Sequence, residues 1–231
     1  MKKLIQFPLC PFSRSIRMAL TEQAIPFELL EERPWEWRQT LLALNPAGEL
    51  PVLQLEDQSV ICGVYAISEF LAEQAQNSCV YNRGVHLFPG SREERAEVRR
   101  LVDWFHCKLD REVTREILEL KVQPRFDPDS KHPPNAQLLR AIATNLRYHL
   151  SYVGFLAYQR RWLAGDAFSF ADLAAAAHVS CIDYLGEIAW DEHPRAREWY
   201  SRVKSRPALR PILADRIPGT PPPPHYADLD F

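Results

Sequence analysis

The side chains best placed for chemistry stand near the start of the chain. Cys10 and Ser13 occur in FPLCPFSRSIR, residues 7–17, where a short apolar run gives way to a helical pattern. A thiol or hydroxyl at such a junction lies at a helix N-terminus, whose free N–H groups favour an anion. Arg14 and Arg17 fall within the next two turns, and their charges would favour the thiolate further. This predicts a reactive Cys10, a nucleophile or a former of mixed disulfides. The competing expectation is a small, semi-buried apolar residue where a strand meets a helix.

Two further segments shape the same region. In LNPAGELPVL, residues 44–53, Asn-Pro ends a helix, Gly48 permits a turn, and Leu50-Pro51 leads into a strand that a cis proline can open. In GDAFSFADLAAAAHV, residues 165–179, Ser169 and Asp172 make a capping box before a helix too apolar to face water. Five cysteines contain no CxxC pair, and seven histidines show no ligand spacing, so neither a disulfide framework nor a metal is expected. A net charge of −2 gives no field for nucleic acid. No apolar run of about 18 residues predicts a membrane span. The opening MKKLIQFPLCPF lacks a secretory pattern, so a cytoplasmic protein is expected.

Periodicity divides the elements that must position these residues. Residues 1–80 read β-α-β-α-β-β-α: strands at 3–7 and 26–30, helices at 13–23 and 38–44, a hairpin from 50–55 and 59–61, and a helix at 64–74. After a linker near 81–90, strand signals cease. A capping box of Ser91 and Glu94 opens a helix predicted to run to residue 121. A loop at 124–134 follows, then helices at 135–161, 167–185 and 194–205. The expected architecture is α/β plus all-α: domains at 1–80 and 91–217, and a proline-rich tail at 218–231.

The strand–CPFS–helix opening, the NPAGELP segment and the capping box before a buried helix, in this order, resemble the glutathione transferase superfamily. The resemblance spans nearly the whole chain. It implies a thioredoxin-like N-terminal domain, a helical C-terminal domain and a homodimer. It implies that Cys10 or Ser13 meets the glutathione sulfur, and that Leu50, before a cis Pro51, pairs with the cysteinyl backbone. A Glu-Ser or Asp-Ser pair should hold the γ-glutamyl group. Gly63-Val64 stands there instead, without carboxylate or hydroxyl. Charge-assisted hydrogen bonds are worth roughly 1.5–3 kcal/mol each, so the change predicts glutathione binding weakened by about tenfold to a thousandfold. The resemblance also places His106 where some cysteine-type members carry a polar substrate-site residue.

Two stretches suit a protein partner. RPWEWRQ, residues 33–39, sets Trp35 and Trp37 in a polar loop that could cover the cleft or anchor a partner. The tail IPGTPPPPHYADLDF, residues 217–231, joins a proline run to Tyr226, Asp228, Leu229, Asp230 and Phe231, a stiff arm expected to dock on its own chain or on a partner. Glu112, Glu116 and Glu119 space as a solvated helix face, with Glu119 a further candidate contact. Together these features resemble the FtsZ-localised division proteins of alphaproteobacteria. That implies a dimer that binds FtsZ filaments and requires no cofactor. The alternatives are a glutathione S-transferase using Cys10, by conjugation or thiol exchange, and a lyase or isomerase with glutathione as cofactor.

Overall fold

The computed structural model describes residues 1–77, 85–127 and 135–229. Four strands form one sheet in the order β2-β1-β3-β4. β1 (Lys2–Gln6) lies inside, parallel to β2 (Phe27–Glu31) and antiparallel to β3 (Val52–Gln54), which forms a hairpin with β4 (Val60–Cys62). The parallel pair requires a crossover, supplied by α1 (Pro11–Glu22). α2 (Gln39–Leu44) and α3 (Val64–Asn77) complete the predicted βαβαββα order. The Leu50-Pro51 bond is cis.

The helical half begins at α4 (Arg92–Asp103), where the Ser91 N–H donates to Glu94 at 2.6 Å and the Glu94 N–H to Ser91 Oγ at 3.3 Å. The continuous α-helix expected to residue 121 is not uniform. Trp104–Thr114 widens into a π-helix before α5 (Arg115–Lys121). The Arg115 N–H reaches back five residues to the Asp110 carbonyl, which aligns side chains at i and i+5. The loop expected from 124 starts later, because Gln123–Phe126 forms a turn of helix, α6. Residues 128–134 lie outside the described residues.

Asn135 caps α7 (Ala136–Gln159). α8 (Phe170–Tyr184) is buried along its entire length. At its start Asp172 accepts from the N–H groups of Leu163 and Ser169 and from Trp199 Nε1, at 3.0, 3.2 and 3.0 Å. Burial pushes the Asp172 carboxyl up to about 6. α9 (Pro194–Lys204) and α10 (Arg210–Leu213) follow.

The two halves meet where α1 packs on α8. Arg14 on α1 is fully buried there. Its Nε donates to the Pro8 carbonyl at 2.6 Å, and its Nη1 to Ser180 Oγ on α8 at 2.8 Å and to Tyr226 OH of the tail at 3.2 Å. Arg17 makes a two-pronged contact with Asp215 at 2.6 and 3.0 Å, and Arg14 Nη2 lies 3.8 Å from the same carboxylate. Neither arginine is turned toward Cys10, which overturns the expectation that their charges favour its thiolate.

The tail docks on its own chain. Tyr184 OH donates to the Thr220 carbonyl and accepts from the Ile217 N–H, both at 2.8 Å. His225 Nε2 lies 3.0 Å from Asp183, and Lys204 Nζ donates to the His225 carbonyl at 3.2 Å. Tyr226 is wholly buried against Tyr184, with ring centroids 5.1 Å apart. Its hydroxyl and ring are thus engaged inside the chain, which corrects its assignment as a partner contact. Asp228 is exposed and Leu229 half-buried; Asp230 and Phe231 lie outside the described residues.

His106 is likewise withdrawn from any surface. A buried chain runs from Thr114 Oγ1 to His178 Nδ1 (2.9 Å), from His178 Nε2 to His106 Nδ1 (3.0 Å), and from His106 Nε2 to Ser15 Oγ (3.2 Å). Ser15 gives its own proton to the Phe12 carbonyl at 2.8 Å. Ser15 must therefore accept from His106 Nε2–H, His106 Nδ1 from His178 Nε2–H, and His178 Nδ1 from the Thr114 hydroxyl. Both imidazoles are neutral in this arrangement. Burial pushes His106 down to about 3 and His178 well below the usual range.

Two outcomes follow. Asp215→Ala strips both arginines of their counter-charge and should destabilise the fold by about 3–5 kcal/mol in denaturant unfolding. The unfolded chain takes up protons below pH 6.5 that the buried imidazoles refuse, so this contribution to stability falls as pH falls. Each such imidazole removes about 2 kcal/mol between pH 7 and 5. His106→Gln should shrink the stability difference between those pH values by about that amount, measured by urea titration at both; an unchanged difference would refute the neutral chain.

Candidate functional site

Cys10 caps α1. A tight turn brings its N–H to the Phe7 carbonyl at 2.9 Å, and its sulfur accepts from the Ser13 N–H at 3.5 Å. Pro11 follows as the first helical residue, where its missing N–H loses nothing. The half-buried thiol opens onto a cavity of about 230 Å³ between the segments that follow β1 and β2 and the π segment with α5. Phe12, Trp35, Leu118 and Val122 supply apolar walls, and Asp110, Arg115 and Glu119 supply charge. Ser13 does not line the cavity, and its Oγ is buried without a hydrogen-bond partner among the described residues.

The electrostatics disfavour a thiolate. Burial pushes the Cys10 thiol up; the Ser13 contacts oppose this, and the Asp110 charge adds to it. The helix-terminus effect predicted from sequence is present as the Ser13 N–H contact but is outweighed by desolvation. Asp110 accepts from Arg115 Nε and Nη2 at 3.0 and 2.7 Å. Burial raises the Asp110 carboxyl, with Arg115 opposing. Burial, then repulsion from Glu116, also raises Glu119. The cavity thus sets two carboxyl groups against one guanidinium beside the sulfur. Asp110 and Arg115 escaped the sequence reading because a search at i+3 and i+4 does not pair residues five apart, which the π segment does.

The two tryptophans divide. Trp35 packs edge-on against Phe7 at 5.0 Å and beside Phe126 at 5.7 Å, closing the cavity. Trp37 remains 62% exposed. Its ring lies over Gly48, where a Cβ would come within 2.9 Å of it and where φ is +67°. Cys10, Trp35 and Glu119 therefore share one cavity, while Tyr226 lies within the core, joined to that loop through Arg14. Of the stripe, Glu112 is not simply solvated: it contacts Lys108 and accepts from His149 at 3.0 Å.

Glutathione fits this site only in part. Leu50 and Pro51, joined by the cis bond, stand just before β3, and neither they nor Gly63 and Val64 line the Cys10 cavity. Gly63 has φ of +84°, which favours glycine, and the space a Cβ would enter there is open to 4 Å. Val64 is buried at the first position of α3. A γ-glutamyl ammonium would meet no carboxylate from this pair, and its carboxylate no hydroxyl, only the helix N-terminus.

Residues 9–74 match the glutathione S-transferase N-terminal domain and residues 116–207 the C-terminal domain. FtsZ-localized protein A of Caulobacter vibrioides is 42% identical over 233 residues, spanning 100% of this chain and 98% of that protein. Among solved structures, FzlA from C. crescentus shares 42% identity with a TM-score of 0.91, over 100% of this chain and 99% of that one. A glutathione S-transferase from Sinorhizobium meliloti 1021 shares 44% identity with a TM-score of 0.93, over the whole of both chains. The sheet and helical halves, the cis Pro51 and likeness along the full chain together make this protein a member of the glutathione S-transferase family.

Proposed function

We propose that this protein binds and organises FtsZ filaments in bacterial cell division, and that it does so without glutathione chemistry. The observation that carries this is the 42% identity along the whole chain with FtsZ-localized protein A. The altered γ-glutamyl pair and the raised Cys10 thiol support it, because a family enzyme needs a held, ionised sulfur. The exposed Trp37, the cavity-edge Glu119 and the exposed Asp228 are the contacts offered to a partner. A cytoplasmic homodimer would present each twice, so that modest single contacts link filaments by avidity.

The second reading is a glutathione S-transferase acting through Cys10. The Sinorhizobium structure, which bears that name at 44% identity, favours it. The two readings part on three measurements. Calorimetric titration should show no glutathione binding in the micromolar range; micromolar affinity overturns the first reading. Trp37→Ala should weaken co-sedimentation with FtsZ filaments by about tenfold or more, and unchanged pelleting removes Trp37 from the contact. Cys10→Ala should leave co-sedimentation intact, whereas loss of it would tie the thiol to function.

A further inference from the structure

Among the described residues, two side chains donate to the carbonyls of the loop that carries Cys10. The Pro8 carbonyl accepts from Arg14 Nε at 2.6 Å, and the Leu9 carbonyl from Cys181 Sγ at 3.2 Å. Arg14 is in turn fixed at its far end by Ser180 and Tyr226. Both of those hydroxyls are committed. Ser180 donates to the Ala177 carbonyl at 2.8 Å and Tyr226 to the Ile212 carbonyl at 3.4 Å. The guanidinium is planar and rigid, so Nε and Nη1 cannot move independently. Arg14 and Tyr226 are wholly buried, so no bulk water is at hand to replace a lost bond.

We propose that the docked tail, acting through Tyr226 and Arg14, is a positioning device for the Pro8–Cys10 loop and sets how open the Cys10 thiol is to the cavity. Tyr226 holds the guanidinium in the orientation that presents Nε to Pro8. When the tail lifts or the hydroxyl is lost, the guanidinium can turn toward Asp215, already 3.8 Å from Nη2. The Pro8 carbonyl then loses its donor and the loop loosens beside a half-buried sulfur. One apolar cluster reinforces the connection, since Phe7, Leu9 and Tyr226 belong to it together. The tail end of the chain and the Cys10 cavity thereby respond to one another, whatever partner either meets. By linkage, a group bound at Cys10 that displaces the loop weakens tail docking to the same degree.

The test is alkylation of the full chain by iodoacetamide, with the Cys10 rate resolved by peptide mass spectrometry. Tyr226→Phe keeps the ring and removes only the hydroxyl. It should speed Cys10 labelling roughly tenfold, the scale of one hydrogen bond to a charged group, while labelling of the exposed Cys107 stays unchanged. The faster rate should be insensitive to low urea, as local opening is. A Cys10 rate within twofold of the unaltered chain overturns the proposal. So does a rate that climbs with urea as steeply as global unfolding, since the tail would then act only on overall stability. Ser180→Ala removes the other fixed acceptor of Nη1 and should move Cys10 in the same direction. Should Tyr226→Phe fail to fold, Ser180→Ala takes its place, and an unmoved Cys10 rate or a steep urea dependence in that variant overturns the proposal equally.

Discussion

A buried positive charge at the junction of the two domains organises this molecule. Arg14 stands in the first helix, yet its guanidinium meets groups from several other parts of the chain: Pro8 before the helix, Ser180 and Tyr184 on α8, Asp215 after α10 and Tyr226 in the tail. A charge withdrawn from water demands partners on all sides. No one domain supplies them. Pairing Arg14 therefore requires the loop after β1, the buried α8 and the C-terminal strap to assemble together, and even so, among the described residues, its Nη2 has only Asp215 at 3.8 Å. Arg17 repeats the arrangement a turn later with the same Asp215. The tail is consequently part of the fold through Tyr226, with Asp228 left at the surface.

Beside that junction lie several features that the glutathione transferase resemblance implies. The cysteine is at the helix start, the cis proline precedes β3, and a cavity lies beside the sulfur. What differs is charge. The pair that would hold the γ-glutamyl end is Gly63-Val64, and the cavity wall sets Asp110 and Glu119 against a single Arg115. Gly63-Val64 offers no carboxylate to a ligand ammonium, and Asp110 disfavours a thiolate at Cys10. The same cavity is edged by Trp35 and Glu119 and adjoins the loop that exposes Trp37.

The helical domain carries its polar interior in a comparable way. Thr114, His178, His106 and Ser15 pass hydrogen bonds in one direction only, which fixes both tautomers. The π segment on which Thr114, His106 and Asp110 sit belongs both to this chain and to the cavity wall. A widening of one helix thereby serves packing on its buried side and the Asp110–Arg115 pair on the other.

Much of this was legible in sequence because it rests on local rules. Alternation and helical spacing showed the βαβαββα order; capping boxes marked α4 and α8; FPLC, LPVL and the Gly63-Val64 departure located the site. Those signals depend on neighbours within a few residues, where backbone geometry is fixed by residue type. What tertiary structure alone decided concerns charge and exposure. Cys10 looked activated because Arg14 and Arg17 are near in sequence, but their side chains turn into the core, and burial dominates the thiol. Sequence leaves the tail a choice between its own chain and a partner, and Arg14, more than two hundred positions earlier, takes the Tyr226 hydroxyl. His106, which the resemblance places at a substrate site, is instead enclosed by His178 and Ser15. Desolvation and pairing depend on which distant segments surround a group, and no local pattern of residues encodes that.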